Sequence, residues 1–278
     1  MQKTIIKANQ PWWRIDGREL WEYRDLLRMM VQRDLTSVYK QTVLGPLWFV
    51  IQPLVTTVVF TVIFGAVAKI PTDGVPHFVF YMSGTVFWNY FQGVLNHAAG
   101  SLVGNTNVLS KVYFPRLIIP LSGVLTNLAH LALNFILFLG FYVWFLLRGS
   151  DMSPNGWLFL LPVSILQCGA MGLGFGLWVS AATIKYRDLR FALPFLIQLW
   201  MYATPIVYPA SLVARPSLKL ALWLNPMTAV VEFSRYGFTG QGSADLFGLG
   251  LSWAVTLLVL ASGLFLFNKV QRTFVDTI

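Results

Sequence analysis

Long apolar stretches separated by short polar connections fill the chain from residue 47 almost to its end. A helix needs about 20 predominantly apolar residues to cross a bilayer. We predict six spans, near 47–68, 78–98, 117–147, 157–184, 191–209 and 246–267. The fifth is the shortest and contains Pro194 and Pro205. Because prolines free backbone carbonyls that lipid cannot satisfy, we expect this span to pack inside the bundle or to line a cavity.

The polar segment before the first span has the period of an amphipathic helix. At 100° per residue, one apolar arc holds Leu20, Tyr23, Leu26, Leu27, Met30, Val31, Leu35 and Val38. Arg24 and Asp34 interrupt that arc at its margins. Such a helix can lie among lipid headgroups or pack on a soluble partner, and the two are compatible. We therefore predict a tail at 1–18, an amphipathic interface helix at 19–45 and a membrane domain at 46–278.

The stretch 211–244 is apolar but divided at Asn225-Pro226 into two segments that are each too short to span. Its second half carries Glu232 and Arg235 at helical i,i+3 spacing. We predict a hairpin that enters the membrane halfway and returns. The alternative is an ordinary extracellular loop, which would be poorly solvated at this composition.

Composition and charge place the chain in the membrane class. Hydrophobic residues make up 56% and charged residues 11%, against about 25% charged in soluble domains. The net charge is +9, but the Lys and Arg residues flank the spans, which indicates topology and headgroup contact and not nucleic acid. With the N-terminus inside, 15 of them are inside and 5 outside, so we predict that both termini are cytoplasmic. The single cysteine, Cys168, provides no disulfide framework and no zinc site.

The chemistry of active transport is missing from the spans. The predicted spans contain no Asp or Glu, and their histidines are His97 and His130. Ion-coupled carriers usually need carboxylates within the membrane, so this composition is unlike theirs. No P-loop for ATP is present. The chain is therefore a passive pore or the membrane half of a machine powered by a partner. The interface helix and the polar loops 104–116 and 185–190 would form a docking surface on one side, which favours the partner.

Several motifs resemble a known family. The start of the first span, from Arg33-Asp-Leu-Thr-Ser-Val-Tyr-Lys-Gln-Thr to Val-Leu-Gly-Pro-Leu-Trp48, resembles that of permeases of type-2 ABC exporters for polysaccharides, the Wzm-type O-antigen and teichoic-acid group. The loop Gly104-Asn-Thr-Asn-Val-Leu-Ser-Lys-Val-Tyr-Phe-Pro-Arg116, and later Tyr186-Arg-Asp-Leu189 and Leu224-Asn-Pro-Met227, match further signatures in the same order. The resemblance covers residues 20–278.

The resemblance implies a homodimer in the inner membrane with two ATPase subunits, which hold ATP and Mg²⁺, so that this chain needs no cofactor. The cargo would be a glycan on a lipid diphosphate, usually undecaprenyl diphosphate. Residues matching the ATPase-coupling loops are Asn105, Asn107, Lys111, Tyr113, Arg116, Tyr186, Arg187 and Asp188. Residues matching the outer gate are Asn225, Pro226, Glu232 and Arg235.

Two further groups of residues are hypothetical contacts for the cargo. Arg28, Arg33, Tyr39 and Lys40 could attract the diphosphate, or could contact lipid headgroups instead. Aromatic faces suit a sliding sugar chain, and the candidates are Trp48, Trp88, Tyr90, Phe91, Trp178, Trp200 and Tyr202. Span aromatics are usually packing residues, so we expect only two or three to face a channel.

Two other functions are open. The same architecture could carry teichoic acid, a drug or a plain lipid. An enzyme of polyprenyl-sugar metabolism would need surface carboxylates, for which Asp25 and Asp34 are the candidates; pairing within a base-rich helix explains both.

Overall fold

The secondary structure of the protein is helical. The computed structural model describes residues 17–40, 44–106, 111–213, 215–242 and 245–274, and these ranges contain no strand. The predicted all-α class is therefore confirmed. In chain order the helices are α1 (Gly17–Glu22), α2 (Arg24–Tyr39), α3 (Trp48–Phe60), α4 (His77–Ala99), α5 (Ile118–Leu147), α6 (Leu161–Lys185), α7 (Leu189–Ala203), α8 (Pro216–Leu224), α9 (Pro226–Thr239) and α10 (Leu246–Phe274). A π-helix, Thr61–Val67, prolongs α3.

Four helical segments of the described chain are long and apolar enough to cross a membrane. They are Trp48–Val67, Ile118–Leu147, Gly156–Lys185 and Leu246–Gln271. The second and fifth predicted spans correspond to α4 and α7, which are not among these four. Helix α7 has only 15 residues. Helix α4 is long, but 16 of its 23 residues are buried against other parts of the protein, so few of its side chains would contact lipid. The six-span topology thus stays a prediction.

Helix α6 is the centre of the bundle because its small residues let two neighbours approach closely. A Cβ on Gly176 would lie 2.8 Å from the carbonyl oxygen of Leu95 in α4. On the other side, a Cβ on Gly263 of α10 would lie 2.5 Å from the carbonyl oxygen of Gly174. Gly174 and Gly176 of α6 therefore lie on two helix-packing surfaces, as is typical of small residues in membrane bundles.

The segment before the first span packs on the bundle. Helix α2 lies against α5, with Met30 buried and Leu26 and Leu27 against the core. The predicted amphipathic segment contains two helices, α1 and α2, which are divided at Tyr23. Its apolar arc thus faces this chain, while Trp21 and Met29 are exposed on the other side.

The stretch around Asn225 forms a helix–turn–helix unit, α8–α9, whose arms differ in burial. In α9, 13 of 14 residues are buried, against α4, α6 and α10. In α8 the apolar residues Leu218, Leu220 and Leu224 are exposed. The two short helices are confirmed, and the re-entrant depth of the hairpin stays a prediction.

Replacing Gly176 with Ala should destabilise the protein by about 1–3 kcal/mol, because the new methyl group meets the α4 backbone. The measurement is the thermal unfolding of the detergent-purified chain. The matched control is Gly140→Ala in α5, where nothing lies within 4 Å of the added Cβ. Equal unfolding temperatures for the two variants would contradict the close approach.

Candidate functional site

Functional candidates collect at two opposite ends of the bundle. The first, which we call the α2 end, contains α2, the segment after α4 and the α6–α7 turn. Two contacts join these parts: His97 in α4 lies beside Asp34 in α2, and the Ser101 and Ser180 hydroxyls are hydrogen-bonded at 3.2 Å. The second, the hairpin end, contains α8–α9 and the segments 68–76, 148–157 and 204–213. Two hydrogen bonds hold the parts of this end together: Ser211 donates to the Asp73 carboxylate, and Tyr142 of α5 donates to the carbonyl oxygen of Phe238 in α9.

An unpredicted charge cluster fixes α2 at its end of the bundle. The Asp34 carboxylate accepts hydrogen bonds from Arg33 Nε at 3.0 Å and Nη2 at 2.8 Å. Its other oxygen lies 3.7 Å from His97 Nε2, and the His97 ring packs on Gly123 of α5. The sequence carried a signal for this cluster, because Asp34 interrupts an otherwise apolar arc and His97 ends a predicted span.

The predicted diphosphate-binding residues differ in whether another side chain already pairs with them. Arg28 and Lys40 are exposed and form no ion pair with the described part of the chain. Arg33 is half-exposed but engaged by Asp34. The side chain of Tyr39 lies outside what the structure describes. A ligand phosphate would compete with Asp34 for Arg33, whereas Arg28 and Lys40 are available to it.

The predicted coupling residues gather at the α2 end as an exposed polar surface. Lys111, Tyr113, Tyr186, Arg187 and Asp188 are exposed. Asn105 is half-buried and donates to the Ser101 carbonyl. Arg116 is also half-buried, and burial lowers the pKa of its guanidinium from the usual value. Asn107 lies outside the described residues.

The predicted channel aromatics fall into three classes by burial. Trp88, Tyr90 and Phe91 are buried within this chain, where they pack α4. Trp48 and Tyr202 are exposed. Trp178 and Trp200 are half-buried, and the Trp178 indole donates to Ser262 of α10. In the described conformation, four of the seven side chains therefore reach the surface of the chain.

Trp200 and Asn225 join the end of α7 to the turn between α8 and α9. The Trp200 indole N–H donates to Asn225 Oδ1 at 3.0 Å, and the ring is surrounded by Trp88, Phe91 and Phe175 in edge-on contacts. Asn225 Oδ1 also caps α9 by accepting from the N–H of Met227. Its Nδ2 donates to Thr204 Oγ1 and to the Ala203 carbonyl. The hydrogen-bonding groups of the Asn225 amide are thus all engaged, and Pro226 begins α9.

A buried ion pair forms the core of the hairpin end. Arg235 Nη1 lies 2.8 Å from Glu232 Oε1, and both side chains are almost fully buried. Arg235 Nη2 donates to the carbonyl of Pro205 at 3.0 Å, and the guanidinium lies 3.6 Å from the ring centre of Phe80. A buried pair of this kind is stable only with such additional contacts. One guanidinium therefore connects α9, α4 and the segment that follows α7.

Within the described residues, no group of three or more His, Cys, Asp or Glu side chains could hold a metal ion. Asp34 is paired with Arg33 and near His97, so it is not an isolated surface carboxylate.

Comparison with known proteins gives one consistent result. A family model described as ABC-2 type transporter matches residues 25–239. The O-antigen export system permease protein RfbA of Myxococcus xanthus is 30% identical over 265 residues, which cover 94% of this chain and 98% of that protein. RfbA of Klebsiella pneumoniae is 25% identical over 253 residues, or 91% and 94% of the two chains. The polysialic acid transport protein KpsM of Escherichia coli is 22% identical over 250 residues, or 88% and 93%.

Removing one member of the buried pair should destabilise the protein strongly. Glu232→Ala leaves an uncompensated charge at Arg235, which costs about 3–5 kcal/mol. Arg235→Met leaves Glu232 unpaired in the same way, and the double variant Glu232→Ala/Arg235→Met should lose less than either single change, because no charge is left buried. Thermal unfolding of the three purified variants checks this. A double variant that loses the sum of the two single changes would contradict the pairing.

Proposed function

The chain belongs to the ABC-2 type transporter family, and from this premise we propose that it is the membrane-spanning subunit of an ATP-driven polysaccharide exporter. The cargo we propose is a lipid-linked glycan, an O-antigen on undecaprenyl diphosphate. It would move from the cytoplasmic to the outer side of the inner membrane. The single observation that carries the proposal is the 30% identity to an O-antigen export permease over 94% of the chain.

The cargo class rests on agreement among relatives. Two of the relatives above are named for O-antigen export and one for polysialic acid transport, and both cargoes are polysaccharides. Teichoic acid, another lipid or a drug would each be a different cargo on the same architecture. The polyprenyl-sugar enzyme has less support, because Asp34 is engaged by Arg33 and His97.

The energy source in this proposal is a separate ATPase, present in two copies. The sequence has no P-loop, so ATP and Mg²⁺ would be held by that partner. We assign its docking to the α2 end, which lies in the cytoplasm if the Lys and Arg distribution sets the topology. The exposed residues Lys111, Tyr113, Tyr186, Arg187 and Asp188 would form the contact.

A second copy of the chain completes the transporter in this proposal. Ile197 is the only buried residue of α7, and Phe191, Phe195 and Leu199 are exposed on it. Helix α3 likewise exposes Val55, Val58 and Val59. These apolar faces would meet those of the other copy or enclose the path between the two copies. Trp48 and Tyr202 lie on the same helices and are the accessible candidates for stacking on sugar rings.

Motion would pass from one end to the other through α6. A displacement of the loop after α4 reaches α6 through the Ser101–Ser180 hydrogen bond. Helix α6 packs along α4 and α10, and it also contacts α9. Because these helices approach at backbone distance, they would move as a rigid body and would carry α9 with them. The hairpin would then act as the outer gate.

The proposal predicts where the cargo stops when this gene is deleted. Lipid-linked glycans would be fractionated by the side of the inner membrane on which they lie. We expect glycan on polyprenyl diphosphate to accumulate on the cytoplasmic face, with the plasmid-borne gene restoring export. Normal glycan on the outer face would mean a different cargo.

Replacing bases of α2 should slow export without unfolding the protein. Arg33→Ala and Arg28→Ala each remove a donor for the diphosphate, which we expect to reduce the export rate by roughly tenfold. The control is Arg18→Ala, an exposed base on α1 that pairs with Glu22. Unchanged export in a variant would remove that base from the proposed site, and a lowered unfolding temperature would assign it a structural role.

A further inference from the structure

A cavity lies between the end of α7 and α8, beside the Trp200–Asn225 contact. Its volume is about 340 Å³, and it opens to the surface. Most of its wall is aliphatic or aromatic, and the residues that matter here are Trp200, Ala203, Tyr208, Leu218, Ala221 and Leu222. A space of this size accommodates a segment of a hydrocarbon chain.

The cavity has a rigid inner wall. Trp200 is held by its hydrogen bond to Asn225 and by edge-on contacts with Phe91 and Phe175. The Asn225 amide oxygen accepts from Trp200 and Met227, and its nitrogen donates to Thr204 and Ala203, so the amide has no free donor for a ligand. A sugar ring, which needs several hydrogen-bond partners, would find few on these walls.

The outer wall, α8, is cationic at one end. Arg215 is the N-cap of α8, and Lys219 lies one helical turn further on, where its backbone N–H donates to the Arg215 carbonyl. Both side chains are exposed, and neither takes part in an ion pair with described residues. Among the α8 residues whose side chains the structure describes, Leu222 is the buried one, and Trp223 packs on Gly248 of α10.

We propose that this cavity binds an anionic phospholipid of the outer leaflet, with part of one acyl chain beside Trp200 and the phosphate at Arg215 and Lys219. The placement in the outer leaflet rests on the proposed function and its topology. Two cations one turn apart match a single phosphate group, and lipid phosphates attract interfacial Lys and Arg. The lipid would fill the space under α8 and hold it against α7.

The test is native mass spectrometry of the full chain in detergent with added phosphatidylglycerol. We expect one retained lipid per chain, and weaker retention of phosphatidylcholine. Removing each cation should weaken phosphatidylglycerol binding about fivefold, and Arg215→Gln/Lys219→Gln roughly thirtyfold. Ala221→Trp should block the cavity. The control is Arg148→Gln, a base that stacks on Trp144 at the end of α5 and should leave binding unchanged.

Several outcomes would overturn the proposal. Binding that survives both Ala221→Trp and the double charge variant would exclude this cavity as the site. Tighter retention of undecaprenyl phosphate than of phosphatidylglycerol would assign it to the carrier lipid, and displacement of lipid by a soluble oligosaccharide would assign it to the glycan. The charge variant tests the site even if Ala221→Trp misfolds. Glycan export is measured separately and tests the proposed function. Absence of export would not change the lipid-binding result, and absence of lipid binding would not change the export result.

Discussion

Backbone-level contact at the glycines of α6 is the constraint on which the rest of the structure depends. In a bilayer, lipid is as apolar as the side chains, so helices associate through close packing and interhelical hydrogen bonds. Gly176 allows α4 to approach on one side, and Gly174 with Gly263 allows α10 to approach on the other. Buried polar contacts add to this packing, such as the hydrogen bond from Gln167 of α6 to Ser252 of α10. The three helices form the frame against which α9 is buried.

The two ends of this frame handle charge in opposite ways. At the α2 end, Arg28 and Lys40 are exposed and free of ion pairs among described residues, which suits attraction of a mobile anion or a partner. At the hairpin end, Glu232 and Arg235 are buried together. Both residues belong to α9, so displacing this helix would take Arg235 away from the Pro205 carbonyl and from Phe80, and the buried charge would lose part of its compensation. The pair is therefore suited to holding a fixed geometry and not to binding a substrate.

Sequence patterns predicted the elements well and their surroundings less well. Hydropathy and the break at Asn225-Pro226 gave the all-helical class and the two short helices, because both depend on local composition. The pattern could not show that Trp88 and Phe91 pack inside the chain, since an aromatic side chain in a span looks the same whether it faces protein or a channel. Nor could it join Asp34 to His97, because that contact depends on how α2 crosses the bundle.

The distribution of burial indicates which parts can move. Helices α4, α6 and α10 approach at backbone distance, and α9 is buried against all three. A change in their relative positions would therefore break this packing and the contact of Arg235 with Phe80 of α4. Helix α7 has one buried residue, and α3 contains Pro53 and is continued by a π-helix, so its backbone hydrogen bonding is irregular. Helix α7 therefore has few contacts within the chain to lose. Asn225 and Arg235 attach the segment after α7 to α9, so displacement of α7 relative to the unit of α4, α6, α9 and α10 would have its pivot at its hairpin end and its largest amplitude at the α2 end.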